Sequence, residues 1–209
     1  MDVIAIRRSE RTDEHIGILT AMHCVRSNVF HARLGWNVEI VDGQEHDQYD
    51  ALDPTYIVVL SNGSQVVGCA RLLATTGPTM LSNTFPELLS KGAYKPHAGM
   101  VESSRFCVDT TNKEGRGQRL LHEATLSLFA GIVEWCLLHG FTEIATATDV
   151  RFERILRRAG WPMLRLGVPR QINETLSVAG VLPANRASFD QLRPPNYRSH
   201  LKSTAHIAA

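Results

Sequence analysis

Residues 55–73, TYIVVLSNGSQVVGCARLL, constrain the fold more than any other stretch of this sequence. Two β-rich runs flank Asn62-Gly63, a pair that tolerates the positive φ angles a type I′ turn demands. The stretch therefore predicts two antiparallel strands joined by a two-residue turn, and the remaining elements must be arranged around a hairpin.

Before the hairpin, VIAIR (3–7) reads as a strand. Residues 12–35 place Ile16, Leu19, Met22, Val25 and Val29 at three- and four-residue steps, a helix opened by Thr12 or Asp13 and closed near Gly35. Residues 37–54 are acidic, turn at Asp42-Gly43 and hold no sustained period, so they read as a loop. After the hairpin come a turn at TTGP, a short helix near FPELL and a strand over 100–109. A long helix over 117–140 carries Leu121, Ala124, Leu128, Ile132 and Cys136 along one side and Gly140 at its end. Residues 141–148 form a strand, and 149–161 a helix capped by Asp149 and stopped by Gly160. Two late strands (163–168 and 174–182) and a short helix (187–192) complete the order, with a loosely held tail from about Arg193. With no repeat or Gly/Ser/Pro-rich linker, 1–209 reads as one domain. Mixed order around a central hairpin predicts an α+β, three-layer fold, a mixed sheet flanked by helices, and suits the acetyltransferase-like (GNAT-like) architecture.

Composition narrows the function classes. Lys and Arg total 22 against 21 Asp and Glu, a net charge of +1, so no bulk attraction to nucleic acid or membrane is indicated. Cys24, Cys69, Cys107 and Cys136 lie far apart, with no C-x-x-C and no histidine at zinc-ligand spacing. They read as reduced core thiols, and no metal is expected. The first residues turn charged after six positions, unlike a signal peptide, and no apolar run approaches the ~20 residues that span a bilayer. The expected location is the cytoplasm.

One strand breaks its own pattern. MVESSRFCVD has the ends of a buried strand but carries Glu102 and Arg105 in the middle. Burying such charges costs several kcal/mol each, on the order of a whole core side chain, unless they are paired or used. In a regular strand Glu102 and Ser104 face one way, Ser103 and Arg105 the other. Glu102 and Arg105 serve one pocket only if a bulge separates them or the pocket straddles the strand. An interrupted ladder would also free N–H groups to receive a thioester carbonyl. The plainer reading is a salt-bridged edge strand.

Other charged residues invite the same pair of readings. Arg26 and Phe30 lie four apart on a helix and Trp36 follows it, so a guanidinium and two rings can hold a ligand with a carboxylate and a cation. Equally, the rings are core and Arg26 makes a surface ion pair. Glu45, Asp47 and Asp50 fall within six residues without EF-hand spacing; they are a solvated loop or partners for Arg26, Arg71 and Arg105. Arg71, amid Val66, Val67, Leu72 and Leu73, must snorkel or find an acid. Gly68 points to a bulge or a close backbone approach. A glycine-containing turn with Gly115 and Gly117 leads into a helix over 112–126, a geometry that suits phosphate.

In order and spacing, Arg26, Phe30 and Trp36 (RSNVFHARLGW), Glu45, Asp47 and Asp50 (EHDQYDAL), Arg71 (GCARLLATTGP), Phe85 (MLSNTFPELL) and Glu102, Ser104, Arg105 and Phe106 (VESSRF) resemble the N-acyl-homoserine lactone synthases, the autoinducer synthases of bacterial quorum sensing. The resemblance is dense from about residue 22 to 110 and thinner to about 175. It implies an acyltransferase that uses S-adenosylmethionine with an acylated acyl carrier protein, or acyl-CoA, and holds no permanently bound cofactor. The methionine amine takes the acyl group, and the carboxylate then closes the lactone on its own γ-carbon and expels 5′-methylthioadenosine.

The implied roles follow residue by residue. Arg26 or Arg105 binds the carboxylate, Phe30 and Trp36 face the sulfonium, and Asp47 and Asp50 order over it by pairing with arginines including Arg71. Glu102, directly or through one water, takes the ammonium proton; Ser104 or strand N–H groups polarise the thioester. Phe85, Phe106 and Thr146 line the substrates, with Thr146 preferred over Thr148 for an oxygenated third carbon. Arg151, Arg154 and Arg158 resemble the basic face for the carrier protein. Val101 departs from the family, many of whose members carry an aromatic residue there. Two other functions fit less of the sequence: a general N-acyltransferase using CoA thioesters, and a ligand-binding regulator that kept the fold without catalysis.

Overall fold

In the computed structural model, which describes residues 1–109 and 116–201, the chain alternates short strands and helices. They are β1 (Asp2–Arg7), α1 (Asp13–Ser27), β2 (Glu39–Val41), β3 (Gln44–His46), β4 (Thr55–Ser61), β5 (Gln65–Ala74), α2 (Met80–Asn83), β6 (Met100–Val108), α3 (Arg116–Leu138), β7 (Glu143–Asp149), α4 (Val150–Arg158), β8 (Leu164–Arg165), β9 (Arg170–Ile172), β10 (Thr175–Pro183), α5 (Arg186–Leu192) and β11 (Arg198–Ser199). The main sheet has the order β11-β1-β4-β5-β6-β7-β10-β8, with β9 also on β10. β1, β4, β5 and β6 are antiparallel neighbours, whereas β6 and β7 run parallel.

The central hairpin turns at Asn62 (φ 52°) and Gly63 (φ 78°), the positive angles its sequence suits, but Ser61 pairs with Gln65, so Ser64 joins them in a three-residue turn rather than a two-residue one. A Cβ on Gly68 would stand 3.1 Å from the Cys107 carbonyl oxygen, the close approach its place in the strand implied. Alternating residues of β4 supply two cores. Ile57 and Val59 join Val3, Leu72, Val101 and the α3 residues Leu128, Phe129, Ile132 and Val133. Tyr56, Val58 and Leu60 face the α1 side, against Met22, Val25, Val29 and Phe30. A third apolar cluster holds Leu81, Leu88, Met100, Ala145, Leu166 and Ala179, with Phe85 and Tyr94 packed against it.

Several local expectations are corrected. The helix expected over 12–35 ends at Ser27 and continues as a wide π-type turn through Arg33, with Leu34 N–H donating to Val29 C=O. Periodicity does not distinguish the two, because the apolar steps persist through the wider turn. Residues 37–54 form the β2–β3 hairpin and a short 3₁₀ turn rather than a loop; Asp42 and Gly43 both take positive φ, the same turn chemistry as the larger hairpin. α2 and β9 are too short for periodicity to reveal. The segment from Arg193 to Leu201 is tied down instead of loose: β11 pairs with β1, and the Tyr197 hydroxyl donates to Glu134 at 2.5 Å. The glycine-containing turn around 112–115 lies outside the described residues.

Two features position the site. β6 pairs with β7 only through Met100–Glu102 against Glu143–Ala145, while both strands continue beyond it, so they diverge from Ser103 and Thr146 onward. In addition, the β5–β6 register shifts between Cys69 and Arg71, opposite Arg105 and Phe106. No helix among the described residues is long and apolar enough to cross a membrane. All four cysteines are free, and all but Cys24 are buried.

Candidate active site

The bulge answers why β6 tolerates two charges. Arg105 has φ 52°, in the left-handed region, and inserts one extra residue into the strand. Val101, Phe106 and Val108 consequently pack on the α3 side, whereas Glu102, Ser104, Arg105 and Cys107 all serve the other. Without the bulge Arg105 would point into the α3 core.

On that side three arginines meet three carboxylates. Arg26, 1% exposed, directs Nε to Glu45 and both terminal nitrogens to Asp50 at 2.9 Å. Arg71 is fully buried and binds Asp47, Asp50 (2.8 Å) and the Ser104 hydroxyl (3.2 Å). Arg105 reaches Glu45 at 3.0 Å and Asp47 at 2.9 Å. Glu45 thus bridges Arg26 and Arg105, and Asp50 bridges Arg26 and Arg71. Pairing in both directions offsets a desolvation cost that any isolated ion here would bear alone. Burial alone would raise the Asp50 carboxyl, but bonds from Arg26 and the charge of Arg71 hold it far below the usual range. The acids sit where the β2–β3 hairpin and the following turn carry them, with Asp47 capping the turn and accepting from Tyr49 N–H.

From this frame a line of contacts leads to Glu102. Trp36 stacks on Phe30 (ring centres 5.1 Å apart, 12° between planes), and the Arg105 guanidinium lies 5.3 Å above Phe30. Arg105 also meets the Met80 sulfur at 3.6 Å, and the Met80 and Leu81 N–H groups donate to Glu102 at 3.1 and 2.7 Å. Trp36 keeps 37% exposure, so the line is open to solvent at that end. Burial pushes the Glu102 carboxyl above its ordinary value, opposed by those N–H groups, the Thr79 hydroxyl and Arg71. A carboxylate raised in this way accepts protons more readily than a free one.

The remaining predicted residues fall in different places. Ser104 is on the cluster side, accepting from Arg71. Thr146 donates to the Ser103 carbonyl at 2.9 Å, where β6 and β7 part. Phe85 packs on Tyr49, Leu73 and Met80 as well as on the third apolar cluster. Phe106 stands apart on the opposite face, in an aromatic group with Phe129 and Phe152 (ring centres 5.1 and 4.8 Å away). Arg26 is in the cluster, but its guanidinium is wholly engaged by acids. Arg151, Arg154 and Arg158 are exposed on α4, together with Arg157, while the Glu153 carboxylate beneath is held by Arg165. Two surface hollows, of about 780 and 590 Å³, lie elsewhere: one between Met1 and the tip of the central hairpin, the other beside Arg8 and Ala51, where Arg8 donates to the Asp50 carbonyl on the outer side of the acid cluster.

Sequence reasoning missed Tyr56, whose hydroxyl donates to Asp50 at 2.8 Å, and Tyr49, whose ring lies under Arg71. Tyr56 is directly opposite Arg71 across the hairpin. Counting back from a two-residue turn at Asn62-Gly63 would pair Tyr56 with Cys69; Ser61 pairs instead with Gln65, and a register shift between Val59 and Leu60 adds one more residue, which brings Arg71 opposite. Among the described residues, His23, His46 and Asp50 have ligand atoms within 4.8 Å of one another. His23 Nδ1 faces the Glu45 carbonyl at 2.8 Å, however, and Asp50 already accepts from two guanidinium groups, whose charge opposes a metal cation there.

Comparison with known proteins bears on the same region. A family model described as autoinducer synthase matches residues 9–192. An acyl-homoserine-lactone synthase of Rhizobium radiobacter is 59% identical over 87% of this chain and 85% of its own. The crystal structure of the acyl-homoserine-lactone synthase LasI superposes with TM-score 0.79 at 35% identity, covering 91% of this chain and 93% of that one. BjaI, a CoA-dependent acyl-homoserine lactone synthase solved with S-adenosylmethionine and isopentyl-CoA, gives 0.81 at 25% identity over 94% and 92%. A Lactobacillus plantarum N-acetyltransferase (15% identity, TM-score 0.53, 88% of this chain and all of that one) shares the fold alone.

Proposed function

Because the chain belongs to the autoinducer synthase family, and is an acyl-homoserine-lactone synthase with an acetyltransferase-like fold, we propose that the line from Trp36 to Glu102 is its S-adenosylmethionine site. The observation that carries the reading is the bulge at Arg105, which turns Arg105 and Glu102 to one side of β6. Phe30 and Trp36 offer ring faces to a sulfonium. The carboxylate falls to Arg105, since every arm of Arg26 is occupied by Glu45 and Asp50. Arg26, Arg71 and the three acids form the frame that orients Arg105.

Chemistry then follows from proton and electron-pair movement. Glu102, directly or through one water, takes a proton from the α-ammonium. The freed amine attacks the thioester carbonyl, whose oxygen gains charge near Ser104 and the β6 edge; the C–S bond then breaks, and the nitrogen's second proton goes to the departing sulfur, which leaves as the thiol. The methionine carboxylate next attacks its own γ-carbon, forming the lactone C–O bond as the C–S bond breaks and methylthioadenosine departs. A sulfonium is a good leaving group, so holding the carboxylate close to the γ-carbon supplies much of what this step needs.

For the donor, the divergence of β6 and β7 beside Thr146 gives an extended acyl-pantetheine chain a place between strands. Arg151, Arg154 and Arg158 would dock an acidic acyl carrier protein, with acyl-CoA as the alternative donor; the enzyme then works in the cytoplasm. The test is incubation with S-adenosylmethionine and either acylated carrier protein or acyl-CoA. Equal amounts of lactone and methylthioadenosine are expected with at least one donor. Thiol release without methylthioadenosine from any donor would instead favour a general N-acyltransferase.

A further inference from the structure

Glu45 ties Arg105 to the frame, and α1 grips Glu45 twice. Arg26 Nε donates to the Glu45 carboxylate, and His23 Nδ1 stands 2.8 Å from the Glu45 main-chain carbonyl. His23 precedes Arg26 by one helical turn, on the same face of α1. The mechanism above gives His23 no part.

This second hold has a fixed direction. A carbonyl oxygen only accepts, so the bonding proton lies on Nδ1, and the neutral ring leaves Nε2 bare. His23 is 7% exposed and Glu45 fully buried, so the bond is shut off from water. The ring has its own supports. His46, the next residue of β3, lies against it with 4.0 Å between ring centres, and Tyr56 of β4 meets it edge-on at 5.9 Å. His23 therefore joins α1, β3 and β4 at the residue whose carboxylate spans Arg26 and Arg105.

Holding the carboxylate alone would leave the main chain of Glu45 free to pivot about its bond to Arg26. That pivot would carry with it Oε1, the oxygen that meets Arg105 at 3.0 Å. A main-chain bond from the same helix removes it. From this double hold we propose that His23 is a positioning residue for S-adenosylmethionine binding: its Nδ1–H fixes the Glu45 main chain and, through the Glu45 carboxylate, the guanidinium of Arg105. The inference rests on the reading of Arg105 as partner of the ligand carboxylate.

Two measurements test it. The first is ¹⁵N NMR of histidine-labelled protein at neutral pH, with the His23 ring signals assigned by their loss in His23→Gln. A protonated Nδ1 and a bare Nε2 are expected; a proton on Nε2 alone overturns the proposal. The second is steady-state kinetics at saturating acyl donor. His23→Leu keeps much of the bulk and loses the donor, so KM for S-adenosylmethionine should rise roughly fivefold while kcat stays within about twofold. Asparagine carries its amide nitrogen on Cγ, as histidine carries Nδ1, so His23→Asn should return KM to within about twofold of wild type. Glutamine holds its nitrogen one atom further out, and His23→Gln should leave KM raised. Packing alone would give the opposite order, with the smaller, polar asparagine worst. An unchanged KM in folded His23→Leu, or His23→Asn as impaired as His23→Leu, overturns the proposal. Should His23→Leu fail to fold, an unchanged KM in His23→Gln overturns it equally. Failure of the Arg105 reading would show separately, as an unchanged KM in Arg105→Lys. A raised KM there with none in His23→Leu strikes this inference alone.

Discussion

Glu45 joins Arg26 to Arg105: one carboxylate oxygen accepts from Arg26 Nε and the other from Arg105 at 3.0 Å, with Glu45 itself fully buried. The rigid, deeply buried Arg26 thereby fixes the less buried Arg105, the arginine assigned to the ligand carboxylate. Lysine in place of Arg105 keeps the charge but loses the fork that spans Glu45 and Asp47. Arg105→Lys should raise KM for S-adenosylmethionine roughly tenfold or more, read from steady-state kinetics with saturating acyl donor.

Glu102→Gln removes the proposed base while preserving size. Turnover should fall roughly a hundredfold or more, with KM for S-adenosylmethionine changed far less. Glutamine accepts through one oxygen only, so one of the N–H groups of Met80 and Leu81 loses its acceptor. Chemical denaturation should accordingly show a loss of about 1–3 kcal/mol. Unaltered lactone synthesis by this variant would refute the assignment.

Asp50 is the acid shared by Arg26, Arg71 and Tyr56. Asp50→Asn leaves two buried guanidinium groups short of a counter-charge, and denaturation should register a loss of about 3–5 kcal/mol. A change within experimental error would mean that the frame contributes little to stability.

Stability should also depend on pH through His23. Burial, with the nearby charge of Arg26, depresses its proton affinity from the ordinary 6.5 to about 4, while His46, Asp50 and Tyr56 complete its surroundings. Between those values the unfolded chain binds a proton that folded His23 refuses. Its contribution is thus fully present above pH 6.5 and is lost as pH falls toward 4, at roughly 1.4 kcal/mol per unit. Asp50, held low, acts only below the ordinary carboxylate range near ~3.9. Denaturation at pH 7 and 5 should show a smaller difference for His23→Gln than for wild type.

The exposed arginines of α4 bear on donor choice. Arg154→Glu combined with Arg158→Glu should raise KM for acylated carrier protein at least about tenfold at low salt, with kcat nearly unchanged, and the effect should shrink as salt screens it. Equal KM values for the variant and wild type at low ionic strength would remove this face from docking.

How legible was this in the sequence? The hairpin at Asn62-Gly63 and the caps at Asp149, Gly140 and Gly160 were, because each depends on local backbone chemistry. Charges in apolar settings, Arg71 and Glu102 above all, marked the site for the same reason: they required partners. Which acid serves which arginine was not legible, since EHDQYD offers three carboxylates and only the β2–β3 hairpin decides their positions. The bulge was legible only as a condition. Phe106 illustrates the consequence, for the extra residue that brings Arg105 to the cluster sends its neighbour to the other face. The two N–H groups that hold Glu102 come from α2, four residues long and invisible to periodicity.

The most direct test of the central claim is a crystal structure with S-adenosylmethionine bound. The account predicts its sulfonium against Trp36 and Phe30, its carboxylate on Arg105, and its amine within about 3 Å of Glu102 or one water away. A molecule bound elsewhere, or one whose amine points away from Glu102 with no connecting water, would contradict it.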